Sequence, residues 1–176
     1  MEQGLEEKKV TSTEVYRGSF LRIYQDKVLL PDGREASREY VKHPGATAVV
    51  PITSDGRIVL VRQYRYPVGK VTLEIPAGKL DAEEEPLICA KRELKEETGY
   101  IADSWTKLTS LLTTPGFTDE VIHLYKAENM RFDEACPDED EFIHTCLCTP
   151  EEILRMIADE TIVDAKTLVA LFMAGI

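Results

Sequence analysis

A chain of 176 residues, 43% hydrophobic and 30% charged, has the length and make-up of one ordinary folded domain with its own core, plus room for an extension. Its 21 Lys and Arg stand against 32 Asp and Glu, a formal net charge of −11. This excludes the basic face of a nucleic-acid groove, and an anionic substrate is repelled unless cations intervene.

Apolar runs and turn signals alternate along the chain. At the N-terminus, MEQGLEEKKV has no apolar stretch of the kind a secretory signal needs, and no later run approaches the ~18 consecutive apolar residues of a membrane span. LLPDGREA predicts a hairpin turn, with Pro31, Asp32 and Gly33 between extended arms. TAVVPI (47–52) and RIVLVRQYR (57–65) read as strands joined at Ser54-Asp55-Gly56, and KVTLEIP (70–76) as a further strand. Gly78 is expected to end a strand. Residues 85–98 have helix composition, with Pro86 suited to the first helical position and Gly99 to the closing one. Two more strands are expected around KLTSLLTT (107–114) and EVIHLYKA (120–127).

The acidic stretch EACPDEDEF alternates Asp138 and Asp140 like the first ligands of a calcium loop. The positions that would then need glycine and glutamate hold Ile143 and Thr149, so a solvated loop is expected. Thr149, Pro150 and Glu152 form a capping box opening a helix over 150–159, and Asp164 caps the last helix, AKTLVALFMAG. Helices and strands mix without a regular βαβ rhythm, which predicts an α+β fold with a mixed sheet flanked by helices. There is no internal repeat. Cys89, Cys136, Cys146 and Cys148 form no C-x-x-C pair and His43, His123 and His144 are scattered, so reduced thiols in a cytoplasm are expected rather than a zinc site.

The segment RELKEETG (92–99) is the unusual one. Glu93 and Glu97 lie four apart with Glu96 beside them, at the end of a helix where the macrodipole is already negative. Like charges at that spacing cost a few tenths of a kcal/mol, and the dipole adds about as much. A solvated acidic face is the ordinary explanation of such a run. Here only Lys91, Arg92 and Lys95 compensate within the helix, and a divalent cation would resolve the conflict. Mg²⁺ takes a few carboxylates, carbonyls and waters, and holds substrate phosphates in its remaining positions.

Gly78, five residues, Glu84, seven residues, then Arg92-Glu93-Leu94-Lys95-Glu96-Glu97-Thr98-Gly99-Tyr100 resembles the Nudix box, a glycine, a glutamate and R-E-apolar-x-E-E-x-G-apolar at fixed spacing. Every fixed position matches, and Tyr100 stands where an aliphatic residue is commoner. The resemblance implies a Nudix-like α/β/α sandwich with a loop-helix-loop catalytic motif, and hydrolysis of a nucleoside diphosphate linked to another group. It implies metal ligation by Glu93, Glu97 and the Ala77 carbonyl, with Glu96 as a further ligand or as a catalytic acceptor behind them, and with Mg²⁺ as the ion and Mn²⁺ as a substitute. Arg92 is expected to pair with Glu84 or Glu96 and orient the carboxylates. Gly78 reads as a point of close backbone approach.

Within that family, TTPGFTDE (113–120) resembles the loop of the ADP-ribose hydrolases, which place a proline about fifteen residues past the box; here it is Pro115, followed by Gly116. The run to Glu120 then looks like their mobile catalytic loop, with Glu120 as general base or late metal ligand and Asp119 its neighbour. SREYVKHPGATAVV and LVRQYRYP are similar to stretches that supply substrate-binding arginines, which places Arg38 and Arg65 in that role. A guanidinium grips phosphate bidentately and stacks on adenine. By the same resemblance, residues 1–45 form an extension that builds part of a dimer interface ahead of a catalytic domain over 46–176. Tyr16, Phe20 and Tyr24 are available to stack on a base. The reading is an ADP-ribose pyrophosphatase yielding AMP and ribose 5-phosphate, acting on a small nucleotide as a cytoplasmic homodimer. Two alternatives stand beside it: another nucleoside diphosphate sugar or dinucleotide as substrate, and a sensor that binds ADP-ribose without cleaving it.

Overall fold

The computed structural model describes residues 4–134 and 142–176, so the acidic loop with Asp138 and Asp140, and Cys136, lie outside the described residues. The chain forms two compact units, Met1–Pro44 with Leu112–Val121 and Gly45–Leu111 with Ile122–Ile176.

In the first unit, β1 (Lys8–Arg17), β2 (Arg22–Leu29) and β3 (Glu35–Lys42) form an antiparallel sheet in that order. The β2–β3 turn is the expected hairpin. Gly33 takes a left-handed φ of 88° and donates to the Leu30 carbonyl at 2.9 Å. Val28 and Asp26 alone are buried on β2, and Asp26 accepts from the Ser12 hydroxyl at 2.5 Å. Tyr24 stacks on Tyr40 with ring centroids 5.7 Å apart, while Tyr16 and Phe20 are exposed.

The second unit holds β4 (Ala46–Pro51), β5 (Ile58–Arg65), β6 (Lys70–Glu74), β7 (Ala77–Lys79), α1 (Pro86–Thr98), β8 (Tyr100–Leu112), β9 (Val121–Phe132), β10 (His144–Cys148), α2 (Pro150–Ala158) and α3 (Ala165–Ala174), the ends of β8 and β9 crossing its border. One sheet runs β7-β4-β9-β8 and a second runs β10-β5-β6. The first is mixed, since β4 pairs with β7 antiparallel and with β9 parallel. β4 is buried throughout, as a near-continuous apolar strand with layers on both faces should be. Ala46, Ala48 and Val50 pack with Ile58, Leu60, Ile75 and Leu124, and with Ile153 of α2 and Leu171 of α3. Val49, of opposite parity, packs with Ala90 and Leu94 of α1. Each fully buried Leu or Ile contributes roughly 1.5–3 kcal/mol, so β4 locks α1 on one side and α3 on the other.

The helix signals act as read. Pro86 opens α1, Gly99 closes it at φ 73° with its N–H on the Lys95 carbonyl, Thr149 and Glu152 complete the capping box of α2, and Asp164 accepts from the Thr167 amide to open α3. The strands differ in pairing. The Ser54–Gly56 turn is present, yet β4 and β5 enter different sheets, and the backbone pairing at the turn is a single bridge, Ile52 to Ile58. Both edges of β4 are already taken by β7 and β9, which leaves β5 no partner there. Gly78 sits in the middle of β7, opposite Thr47, rather than at a strand end. Among the described residues, no helix is long and apolar enough to cross a membrane.

Candidate active site

α1 buries Cys89, Ala90, Leu94, Glu97 and Thr98, a stripe spaced one turn apart against the sheet. Glu97 belongs to that stripe and is only 5% exposed, so the acidic run is not a solvated face. Its carboxylate accepts from the Ala77 amide at 3.1 Å, which ties the end of α1 to the start of β7. One turn earlier, the Glu93 carboxyl group lies directly on the Cα of Gly78, and a Cβ on that residue would overlap it. The glycine is therefore a requirement of this side chain, as a point of close approach.

Arg92 gathers the remaining acids. Its Nε and Nη2 donate to the two oxygens of Glu84 at 3.0 and 2.9 Å, and its Nη1 donates to Glu93 at 2.7 Å and Glu96 at 2.9 Å. Nη2 also reaches the Lys79 carbonyl at 3.3 Å. Glu84 owes its place to the loop before the helix, where Glu83 takes a left-handed φ of 62° and the Asp81 amide donates to the Glu84 carboxylate at 3.1 Å. That conformation costs a non-glycine residue roughly 1–2 kcal/mol. The Arg92 hydrogen bonds hold the Glu84 carboxyl at about 2, and the same contacts, Glu84 first, keep Arg92 charged at any accessible pH. Behind them burial pushes the Cys89 thiol up to about 12, which makes it a packing group that donates to the Lys79 carbonyl at 3.3 Å rather than a thiolate ligand.

The carboxylates of Glu93 and Glu97 lie beside the backbone of Gly78 and Ala77, and hard oxygens of this kind suit a divalent cation. The fit is physical: the missing Cβ of Gly78 leaves the Glu93 carboxylate room against β7. Among the described residues, no three His, Cys, Asp or Glu side chains are drawn together as a metal-holding group; Arg92 holds Glu93 and Glu96 instead.

Arg65, on β5, lies in the same unit, at a cleft of about 480 Å³ lined also by Val68, Lys70, Thr72 and Val163. It grips Glu74 side-on, Nε to one oxygen at 2.9 Å and Nη2 to the other at 2.7 Å. Lys166 of α3 also bonds Glu74, and reaches Asp164 at 3.1 Å. Burial alone would raise the Glu74 pKa; Arg65, Lys166 and Thr72 outweigh it and bring it to about 2. Glu97 adds to the field that keeps Arg65 protonated, after Glu74 itself. Glu74 and Lys166 are absent from the sequence reading; the available signal was an acid in an apolar strand next to Leu73 and Ile75.

In the other unit, Arg38 pairs with Glu7 through two hydrogen bonds. Residues 115–120 dock on the end of β3: the Val41 amide donates to the Phe117 carbonyl at 2.8 Å, and the His43 amide donates to the Asp119 carboxylate at 2.7 Å. Gly116 has open space where a Cβ would stand, so nothing in its surroundings demands a glycine. Glu120 accepts from the Thr113 hydroxyl at 2.7 Å, and its other oxygen lies 3.5 Å from His43 Nε2.

The NUDIX domain matches residues 42–171, and the nucleoside diphosphate sugar hydrolase N-terminal domain matches residues 7–41. The chain is 43% identical over 171 residues to an ADP-ribose pyrophosphatase of Bacillus subtilis (strain 168), covering 96% of this chain and 92% of that protein. It is 45% identical over 167 residues to a methanol dehydrogenase activator of Bacillus methanolicus, covering 94% and 90%. The crystal structure of an ADP compounds hydrolase shares the fold at a TM-score of 0.87, with 21% identity over 99% of this chain and 95% of that one. With the box on α1 and a NUDIX match over most of its length, the chain belongs to the Nudix hydrolase family.

Proposed function

We propose that this chain is a cytoplasmic, Mg²⁺-dependent ADP-ribose pyrophosphatase, with Mn²⁺ as a substitute ion, releasing AMP and ribose 5-phosphate. Nudix hydrolases use divalent metal ions, and a bound cation supplies charge neutralisation on the diphosphate oxygens. The observation that carries the reading is the Glu93 carboxylate seated on Gly78 at the crowded end of α1. Glu93, Glu96, Glu97 and the Ala77 carbonyl are the ligand set in this proposal. Arg92 and Glu84 orient it. Arg65 and Arg38 hold the anion, with the turn at Pro115 and Gly116 shaping the approach of the loop. Glu120 accepts the proton of the attacking water, the work of a general base. The B. subtilis relative's name supports ADP-ribose over other nucleoside diphosphates.

AMP release from ADP-ribose with Mg²⁺, beside ADP-glucose, NADH and diadenosine polyphosphates, tests this, with Glu97→Gln as control. Preference for ADP-ribose and loss of at least ~100-fold in the variant are expected. A preference for another substrate would discard the ADP-ribose assignment, and full turnover by Glu97→Gln would discard the ligand set.

The name of the B. methanolicus relative favours a second reading, in which the protein acts on a partner enzyme. The complete carboxylate set favours hydrolysis as the chemistry in either case. Binding of ADP-ribose with no turnover of any substrate would instead favour a sensor. We further propose a homodimer, supported by the exposed apolar side chains Val10, Val15, Tyr16 and Phe20 in the N-terminal sheet region. Sedimentation at the mass of a single 19.9 kDa chain would remove it.

A further inference from the structure

Two side chains converge on Glu120, and a third backs one of them. The Thr113 hydroxyl donates to one carboxylate oxygen at 2.7 Å. The imidazole Nε2 of His43 stands 3.5 Å from the other, and the two side chains are 13% and 24% exposed. Phe20 meets the His43 ring edge-on, with centroids 6.2 Å apart. Neighbouring contacts add to the attachment: the His43 amide donates to the Asp119 carboxylate at 2.7 Å, the Lys42 ammonium lies 3.9 Å from it, and within the loop the Glu120 amide donates to the Thr118 hydroxyl at 3.2 Å. A carboxylate contacted at both oxygens has little rotational freedom, whereas one on an untethered loop samples many rotamers.

We propose that Thr113 and His43 are positioning residues that fix the Glu120 carboxylate for proton acceptance during diphosphate hydrolysis. The inference rests on the reading of Glu120 as the base. Neither residue touches the substrate in this role. They preserve the direction of the accepting lone pairs, and a base misdirected by an ångström loses rate rather than substrate affinity. The loop is then aimed by the end of β3 instead of moving as an independent flap.

The test compares steady-state ADP-ribose hydrolysis in Thr113→Val, Thr113→Ser, His43→Ala, His43→Gln and Glu120→Gln, with the circular dichroism melt of each recorded. Glu120→Gln is expected to lower kcat by a hundredfold or more. Thr113→Val and His43→Ala should each lower kcat about tenfold with KM within about twofold, the size of one lost contact to a charged group. Thr113→Ser should restore the rate, and His43→Gln should restore part of it. In the Glu120→Gln background, removing Thr113 or His43 should cost nothing further. Wild-type kcat in Thr113→Val or His43→Ala, beside a crippled Glu120→Gln, would overturn the positioning role and leave the base in place. A raised kcat would overturn it too, marking the contacts as restraints. Wild-type kcat in Glu120→Gln would overturn the base and this inference with it.

Discussion

Glycine at position 78 has no conformational excuse, since its φ is ordinary; it is there because the Glu93 carboxyl group occupies the volume of a side chain. That carboxyl is the far end of a flexible side chain, so an added methyl is expected to push it aside without unfolding the protein. Gly78→Ala should keep a wild-type melt, yet weaken Mg²⁺ or Mn²⁺ binding at least tenfold by calorimetric titration and lower turnover in step. Unchanged affinity would mean that the seat of Glu93 on β7 has no part in holding the ion. The spacing of Gly78, Glu84 and Arg92–Gly99 was legible in the sequence through its resemblance to the Nudix box, and helix periodicity added only that Glu93 and Glu97 stand one turn apart. The burial of Glu97 was harder to see, since an acid at a core-facing position reads as charge before it reads as packing. Glu74 escaped for the same reason. Its partners come from β5 and α3, and no local pattern announces a contact with Lys166.

At the level of elements, the Glu74 cluster joins β5, β6 and α3 through charge. Arg65 and Lys166 share one carboxylate, Lys166 returns to Asp164, and the Thr167 hydroxyl beside it accepts from the Ile75 amide at 3.0 Å. Glu74 is depressed from 4.5 to about 2 although burial works the other way. A lowered carboxylate pKa stabilises the fold fully above the unfolded value, and that contribution is lost as pH falls from about 4.5 towards 2. At 2% exposure solvent screening is small, and the shift corresponds to about 3 kcal/mol at neutral pH. Glu74→Gln should therefore melt well below wild type at pH 7, with the gap closing as pH approaches 2–3. A gap that stays constant with pH would show that the charge is not what joins these elements. Helix ends were legible because Pro86, Gly99, Thr149 and Asp164 act locally. Strand partners were not: a turn at Ser54–Gly56 specifies a reversal, while the choice of sheet depends on which edges of β4 remain open.

Across the whole molecule, the mixed α+β architecture followed from composition and the irregular order of helices and strands, and the structure has it. The three-residue β7 is too short to carry a periodic signal, and β10, HTCLC, alternates too weakly to declare itself. The net charge of −11 reads at first as a solubility device spread over the surface. Part of it has an address. Arg92 returns a single positive charge to Glu84, Glu93 and Glu96, all within hydrogen-bonding reach, so this one cluster keeps two formal negative charges uncancelled. Two is also the charge of the divalent cation proposed above for the neighbouring carboxylates. Some of the molecule's acidity is thus gathered at one place rather than spread over the surface, held there by an arginine that neutralises only part of it.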